Sequence, residues 1–281
     1  MADSKVALVT GASRGAGAGV ARGLGELGYT VYVTGRSVES SAAKGWDGSP
    51  LPGTIGETAA LITERGGKGI AVACDHADDA QVAKVFEQIA NEQGRLDILV
   101  NNASLLSSGV LMEHKTDEML KRTLEIGVWG NWWAMQAAFP HFKARGGGSV
   151  INFSSIDAQT GAWLHSDYNI NKLGIVGMTR SAAVEWGRFN IRVNAIAPTG
   201  LGQVFAQLVK DVPGFLDTVV ASNPLKRAGD PEIDIGPVVV FLASDMSRFV
   251  TGEMINVDGG QNLPGYVSIP HNLEELEKGA T

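Results

Sequence analysis

The chain has 281 residues, of which 44% are hydrophobic, 36 are glycine and 10 are proline. Glycine is therefore nearly twice its usual share of about 7%, but it has no three-residue period and the apolar residues fall in separate runs, which excludes collagen-like chains and low-complexity disorder. The net charge of −7 disfavours a nucleic-acid or anionic-membrane surface, and a single cysteine, Cys74, excludes an intrachain disulfide.

These features predict a folded, cytoplasmic protein that binds neither nucleic acid nor membrane. No apolar stretch approaches the roughly 18 residues that span a bilayer. The segment Met1–Val9 has no basic region followed by a long apolar run, so we expect no secretion signal. No His, Cys or Asp cluster has metal-ligand spacing, and we expect no metal site.

Short β-branched runs alternate with longer segments of helical pattern along the whole chain. The runs are apolar at both alternating positions, as in strands covered on both faces. This order predicts an α/β fold with a doubly wound, seven-stranded parallel sheet and helices on both faces. The predicted strands are Val6–Thr10, Val31–Thr34, Gly69–Ala73, Leu96–Asn101, Ser149–Ser154, Ile191–Ala197 and Met254–Val257, and the predicted helices span residues 15–28, 54–66, 78–93, 116–144, 166–189 and 231–243.

A single domain is expected, because no internal repeat or shift of composition marks a second one. Its core spans residues 5–260. Residues 37–53 form a polar loop far longer than the usual two to six residues of a βα connection. Residues 199–230 are irregular and are assigned as a substrate loop, and residues 261–281 form a C-terminal tail.

A glycine-rich turn joins the first predicted strand to the first helix. Gly11, Gly15 and Gly17 follow the pattern G-x-x-x-G-x-G, with Ser13 and Arg14 inside the turn. Glycine lets the backbone turn sharply and approach a pyrophosphate, and the helix N-terminus then offers N–H groups and a positive dipole end. The alternative is a turn that merely needs positive φ, but the position in an α/β chain favours dinucleotide binding.

The second predicted strand ends at Gly35 and Arg36. A fold that prefers NAD usually has an acidic residue here to hold the ribose 2′-hydroxyl. Arg36 and Arg14, with no carboxylate, favour a 2′-phosphate and hence NADP(H), while NAD(H) stays possible if both are solvated surface arginines. We also expect the 37–53 loop to fold beside that ribose, with Lys44 as a third cation.

Tyr168 and Lys172 are four residues apart on a predicted helix and share one face. A tyrosine with a pKa near 10 is a poor acid or base at neutral pH, and a nearby ammonium lowers that pKa. Ser155 follows the fifth predicted strand, at the carboxyl edge of the sheet where sites form in open α/β folds. A Tyr-x-x-x-Lys pair alone is common and is usually a surface pair, so on spacing alone these residues are only candidates for a site.

At this point the chain resembles a classical short-chain dehydrogenase/reductase. The four-residue spacing of the tyrosine and lysine is that of the classical branch, whereas enoyl reductases typically have a wider one. The matching motifs cover residues 5–260 in family order: Thr10-Gly-x-x-x-Gly15-x-Gly17, Asp75, Asn101-Asn102-Ala103, Ser155, Tyr168-x-x-x-Lys172, Asn194-Ala-Ile-Ala-Pro198 and Thr251-Gly-x-x-x-x-Val257-Asp-Gly-Gly260.

The resemblance implies hydride transfer between a nicotinamide and a carbonyl or secondary alcohol, with a small-molecule substrate. Tyr168 would be the general acid or base, Ser155 would hydrogen-bond the substrate oxygen, and Lys172 would bind the nicotinamide ribose. The alternatives are an NAD(H)-preferring dehydrogenase of the same class and a catalytically weak NADP(H) sensor. The cofactor-binding residues implied are Gly11, Ser13, Arg14, Gly15, Gly17, Arg36, Asp75, Asn102, Ala103, Tyr168, Lys172, Pro198 and Thr199.

Two features of the predicted helix 116–144 bear on the resemblance. Gly127 stands where the family often has an asparagine that anchors a proton-relay water, and Asn131, one turn further along, is a candidate substitute. Trp129, Trp132 and Trp133 on the same helix suit a subunit interface or an internal core, and we expect a homodimer or homotetramer.

The segment just before Tyr168 is a candidate rim of the substrate pocket. His165 and Trp163 lie there, and we expect His165 to be a polar rim residue rather than a second base. Phe205 and Phe215 are candidate apolar lining residues for a hydrophobic ketone, or else core residues.

Overall fold

The computed structural model describes residues 4–39, 50–105, 109–200, 202, 206, 209–211 and 213–263. Seven parallel strands form one sheet in the order β3-β2-β1-β4-β5-β6-β7, which confirms the predicted doubly wound α/β fold. The strands are β1 Val6–Val9, β2 Thr30–Gly35, β3 Lys68–Ala73, β4 Ile98–Asn101, β5 Gly148–Phe153, β6 Ile191–Pro198 and β7 Met254–Val257.

Helices cover both faces of the sheet. Two short ones, α6 and α8, lie in stretches where the sequence predicted no helix. The α-helices are α1 Gly15–Glu26, α2 Ile55–Glu64, α3 Asp79–Gln93, α4 Asp117–Leu124, α5 Gly130–Arg145, α6 Asp157–Thr160, α7 Ser166–Trp186, α8 Phe215–Ala221 and α9 Gly236–Ala243.

Alternate residues of β1 face the two layers of the core, as the period of a strand requires. Ala7 and Val9 pack with α1, α2 and α9 on one side. Val6 and Leu8 pack with α3, α5 and α7 on the other. Apolar burial on both faces explains why the strands read as continuous apolar runs.

Local sequence sets the helix starts. The Thr54 side chain accepts from the Glu57 N–H and the Glu57 carboxylate accepts from the Thr54 N–H, which makes a capping box at the start of α2. The Asp78 side chain caps α3 in the same region of the fold. Both helices therefore begin one residue after the predicted start, because Thr54 and Asp78 are caps and not helical residues.

The predicted helix 116–144 is present as one continuous helical stretch, Asp117–Arg145, but its α-helical repeat is interrupted by a π turn. Between α4 and α5 the segment Glu125–Trp129 forms a π-helical turn, with Gly127 buried at its centre. A π turn inserts one residue into the helical repeat and is often found at functional sites. The sequence pattern did not reveal it, because one extra residue shifts the apolar stripe only slightly.

Within the described part of the chain, no helix has both the length and the apolar character needed to cross a membrane. The carboxyl ends of β1, β4, β5 and β6 meet at one edge of the sheet. The strand order reverses between β1 and β4, and ligands bind at such a switch point in open α/β sheets.

Candidate active site

The glycine-rich turn after β1 is joined to the end of β4 by side-chain hydrogen bonds. The Thr10 hydroxyl accepts from the backbone N–H groups of Asn102 and Ala103, each at 3.0 Å. Gly11 and Gly15 have φ of 65° and 56°, which is the left-handed region that glycine adopts without strain. The predicted turn is thereby held at the switch point.

Gly17 faces the same joint. A Cβ there would lie 2.5 Å from Nδ2 of Asn102 and 2.6 Å from the Gly11 carbonyl oxygen, so no larger residue fits. The Asn102 amide donates to the carbonyls of Thr10 and Gly11, each at 2.9 Å. The side chain of the N-cap residue Arg14 does not cap α1, whose N-terminus faces this turn. These residues fit the pyrophosphate of a dinucleotide, which a helix N-terminus and a glycine backbone accommodate.

Arg14 links this turn to the long loop after β2. Its guanidinium donates to the carbonyls of Pro52 and Gly53, at 2.9 and 2.8 Å, and to the Ser37 hydroxyl at 2.9 Å. Burial lowers the pKa of Arg14, and the charge of Arg36 lowers it further. Residues 40–49 of the loop, with Lys44, lie outside the described residues, so the prediction of a third cation stays a prediction.

The end of β2 carries no carboxylate, as the sequence indicated. A Cβ at Gly35 would come within 3.9 Å of Ser13, so the two residues are neighbours. Asp75, which follows β3, has its Oδ2 3.9 Å from the Arg36 guanidinium. Asp75 also accepts from the Ala77 N–H. Arg14, Arg36 and Asp75 therefore surround one end of the cleft.

Ser155, Tyr168 and Lys172 come together beyond the end of β5. Ser155 is buried, and its hydroxyl accepts from the Asp157 N–H at 3.1 Å. Tyr168 lies in the first turn of α7. The buried Lys172 places its ammonium 5.3 Å from the centre of the Tyr168 ring and donates to the Phe153 carbonyl at 2.8 Å. The Ser154 hydroxyl donates to the Lys172 carbonyl, which fixes α7 to β5.

Burial dominates the electrostatics of this group. It raises the pKa of Tyr168 above its ordinary value, the charge of Asp157 raises it further, and a hydrogen bond with Ser155 lowers it. Burial also lowers the pKa of Lys172 to about 7, against an opposing effect of Asp157. The pKa of Tyr168 is thus raised and not lowered as expected, because a desolvated phenolate is costly.

Asp157 was missed by sequence reasoning. Its carboxylate lies 2.8 Å from Nδ1 of His165, whose ring packs edge-on against Tyr168 with 5.9 Å between centroids. Both side chains are partly exposed, at 24% and 29%. The sequence signal that could have identified Asp157 is its position two residues after Ser155. Trp163, in contrast, is 85% exposed.

A family model described as enoyl-(acyl carrier protein) reductase matches residues 11–262, from the glycine turn to beyond β7. The fold superposes on a short-chain type dehydrogenase/reductase from Mycobacterium ulcerans with a TM-score of 0.81 and 27% identity, over 98% of this chain and 94% of the other. The chain belongs to the short-chain dehydrogenase/reductase family.

Two relatives show the breadth of this family. The chain is 34% identical to the cis-4-hydroxycyclohexanecarboxylate dehydrogenase of Sinomonas cyclohexanicum, over 91% of this chain and 96% of the relative. It is 32% identical to the 3-oxoacyl-[acyl-carrier-protein] reductase FabG of Staphylococcus aureus strain Mu50, over 92% and 99%.

Membership makes the chain an oxidoreductase that acts on CH–OH or C=O groups with NAD(P)(H).

The other cofactor-binding candidates lie at the same edge of the sheet. Pro198 ends β6, and the Thr199 N–H donates to the Val257 carbonyl at 3.0 Å. No group of three or more His, Cys, Asp or Glu residues in the described ranges could hold a metal ion.

Two further sequence candidates have clear positions. Asn131 is buried on α5, and its Nδ2 has no hydrogen-bond partner among the described residues. Phe205 and the side chain of Phe215 lie outside the described part, so their assignment to the pocket stays a prediction.

Proposed function

We propose that the protein is an NADP(H)-dependent carbonyl reductase or secondary-alcohol dehydrogenase with Tyr168 as the general acid or base. The observation that carries this proposal is the convergence of Ser155, Tyr168 and Lys172 beyond the end of β5. The buried Lys172 ammonium lies 5.3 Å from the Tyr168 ring, and Ser155 hydrogen-bonds the same tyrosine.

Each residue then has one task. The Tyr168 hydroxyl donates its proton to the substrate oxygen during reduction and takes it back during oxidation. Ser155 donates a hydrogen bond to the same oxygen and orients the carbonyl. Lys172, held by Phe153, supplies positive charge that stabilises the tyrosinate formed when the proton leaves. The bound nicotinamide supplies the hydride chemistry.

The arginines at the adenosine end support a preference for NADP(H). Arg14 is fixed by three hydrogen bonds to Ser37, Pro52 and Gly53, and Arg36 is 58% exposed, with its guanidinium 3.9 Å from Asp75. Gly35 offers no carboxylate for a ribose 2′-hydroxyl. Guanidinium groups bind phosphate strongly and bidentately, so a 2′-phosphate suits this end of the cleft.

We expect the protein to oxidise NADPH faster than NADH when cyclic ketones are supplied. One relative is named for a hydroxycyclohexanecarboxylate, so cyclohexanone and 4-oxocyclohexanecarboxylate are the first substrates to test, followed by 3-oxoacyl thioesters. Absorbance at the nicotinamide band measures the rate. Tight NADPH binding without turnover would contradict the enzyme proposal and favour a sensor.

The Arg36→Ala variant serves as the matched test of the cofactor preference. A charge-assisted hydrogen bond contributes about 1.5–3 kcal/mol, so the KM for NADPH should rise roughly tenfold or more while the KM for NADH stays unchanged. Arg248→Ala removes another exposed arginine, after α9, and should change neither value. An equal effect of Arg36→Ala on both cofactors would refute a 2′-phosphate contact.

We also propose that the π-helical turn Glu125–Trp129, α5 and α7 carry the contacts of a homodimer or homotetramer. Trp129 and Trp132 are 49% and 45% exposed, and Ile170 and Leu173 on α7 are 47% and 54% exposed. Exposed apolar faces of this kind mark protein interfaces. Sedimentation should show a dimer or tetramer, and Trp132→Glu should shift it toward the monomer. A monomeric wild-type protein at micromolar concentration would refute the proposal.

A further inference from the structure

Asn171 on α7 is a buried amide with no hydrogen-bond partner. It stands immediately before Lys172 and is fully buried, with 0% of its surface exposed. Among the described residues, neither its Oδ1 nor its Nδ2 has a partner. An unsatisfied buried amide costs about 1–3 kcal/mol, so its presence beside the predicted catalytic lysine calls for an explanation.

The Asn171 amide occupies the space that Gly127 leaves open. A Cβ at Gly127 would lie within 3.0 Å of Oδ1, Nδ2 and Cγ of Asn171, closer than real Cβ atoms approach. The π-helical turn Glu125–Trp129 brings Gly127 to this point. The absence of a side chain at Gly127 therefore makes room for the Asn171 amide.

A second unpartnered amide lies on the helix that follows Gly127. Asn131 is one helical turn beyond Gly127, about 5.4 Å along the axis, and is buried with Nδ2 unpaired among the described residues. Buried waters typically make about three hydrogen bonds to polar groups of this kind. Each of the two amides is therefore a candidate partner for buried water.

Lys172 has donors to spare for the same water. An ammonium has three N–H donors, and one of them is engaged by the Phe153 carbonyl at 2.8 Å. Asp157 on α6 acts on Lys172. Asp167, one turn before Asn171, is paired with Lys115 at 2.8 Å and accepts from Thr123.

We propose that Asn171 is a positioning residue for Lys172: its carboxamide, housed by Gly127, anchors buried water that hydrogen-bonds the Lys172 ammonium. The water offsets the desolvation of the ammonium and keeps Lys172 protonated in the working pH range. Asn171 acts through Lys172 and does not touch the substrate. This inference rests on the proposed function, in which charged Lys172 assists Tyr168.

Asn171→Leu keeps the number and branching of the side-chain heavy atoms and removes the hydrogen-bonding groups. We expect the pKa of Lys172 to fall by about one unit, a tenfold change in the protonation constant. Carbon-13 NMR titration of the lysine ε-methylene groups measures this in the cofactor-free protein, with Lys172→Met assigning the signal. At pH 7 kcat should fall several-fold with the KM for NADPH unchanged. A folded Asn171→Leu variant in which Lys172 titrates as in wild type would overturn the proposal.

The packing of Gly127 against Asn171 has its own test. Gly127→Ala should lower the melting temperature, because its methyl group meets the Asn171 amide, and Gly127→Ala/Asn171→Ala should recover most of the loss. Gly177→Ala on α7 is the matched control, since a Cβ there meets no atom within 4 Å. A Gly127→Ala variant as stable as Gly177→Ala would show that the amide lies elsewhere.

The two experiments separate this inference from the proposed function. If wild-type protein turns over no substrate but Asn171→Leu still shifts the Lys172 titration, the proposed function falls and the link from Asn171 to Lys172 stands. If wild-type protein turns over substrate and Asn171→Leu leaves the Lys172 titration unchanged, only the positioning role of Asn171 is refuted.

Discussion

Replacing Tyr168 with phenylalanine is expected to lower kcat/KM for NADPH-dependent ketone reduction by about 10²–10⁴-fold, the usual contribution of a positioned general acid. The dissociation constant of NADPH should change little. The variant keeps the ring that packs beneath Lys172 at 5.3 Å and against His165 at 5.9 Å. Only the hydroxyl is lost, so the change in rate reports proton transfer and not packing.

The direction of the pH dependence follows from the same residue. Burial and Asp157 raise the pKa of Tyr168, so the hydroxyl is protonated at neutral pH and ready to act as an acid. Ketone reduction by wild-type protein should therefore hold across neutral pH. Alcohol oxidation needs the deprotonated form and should become faster as pH rises.

Tyr29→Phe provides the control for the loss of a hydroxyl. Tyr29 precedes β2 at the amino edge of the sheet, away from Ser155 and Lys172. Steady-state kinetics of both variants with saturating NADPH give the comparison. If a folded Tyr168→Phe protein keeps the wild-type rate, Tyr168 is not the acid, and if Tyr29→Phe loses as much, the effect is general.

Residues whose role depends on backbone geometry were predictable from the sequence. Gly11, Gly15 and Gly17 follow β1 at a spacing that few folds require. In the structure two of them take positive φ and the third abuts Asn102. The seven strands were predictable to within two residues at each end, because β-branched runs that are apolar at both alternating positions identify strands buried on two faces.

Residues whose role depends on contact between distant segments were not predictable. The sequence identified Gly127 only as a position that lacks the asparagine of the proton relay. The fold is needed to show that Asn171 fills the space beside it. Asn131 was the candidate substitute because spacing along the chain indicates which residues are close on one helix. It does not indicate which residues of two different helices are in contact. Asp157 was equally hidden, since its partner His165 lies eight residues away across the start of α7.

The pair formed by Lys115 and Asp167 is the most consequential ion pair near the site. Its side chains are 7% and 2% exposed, and the ammonium lies 2.8 Å from Oδ1 of Asp167. The Thr123 hydroxyl donates to the other oxygen at 2.9 Å. Asp167 directly precedes Tyr168, so this pair ties the first turn of α7 to α4 and to the segment before it.

Lys115→Met is expected to destabilise the protein by about 3–5 kcal/mol, because it leaves the carboxylate of Asp167 buried without its cation. Chemical denaturation measures the loss, and Lys121→Met is the matched control. Lys121 forms an exposed i,i+4 pair with Glu125 at 3.8 Å, which contributes only about 0.3–0.5 kcal/mol.

The double variant Lys115→Met/Asp167→Asn decides the cause of that loss. Replacing the carboxylate with a neutral amide of the same size removes the uncompensated charge and leaves a group that Thr123 can still bind. Stability should then recover by more than half, whereas a loss due to packing of the lysine stem would persist. If the double variant is as unstable as Lys115→Met, the loss of stability is not caused by the buried charge of Asp167.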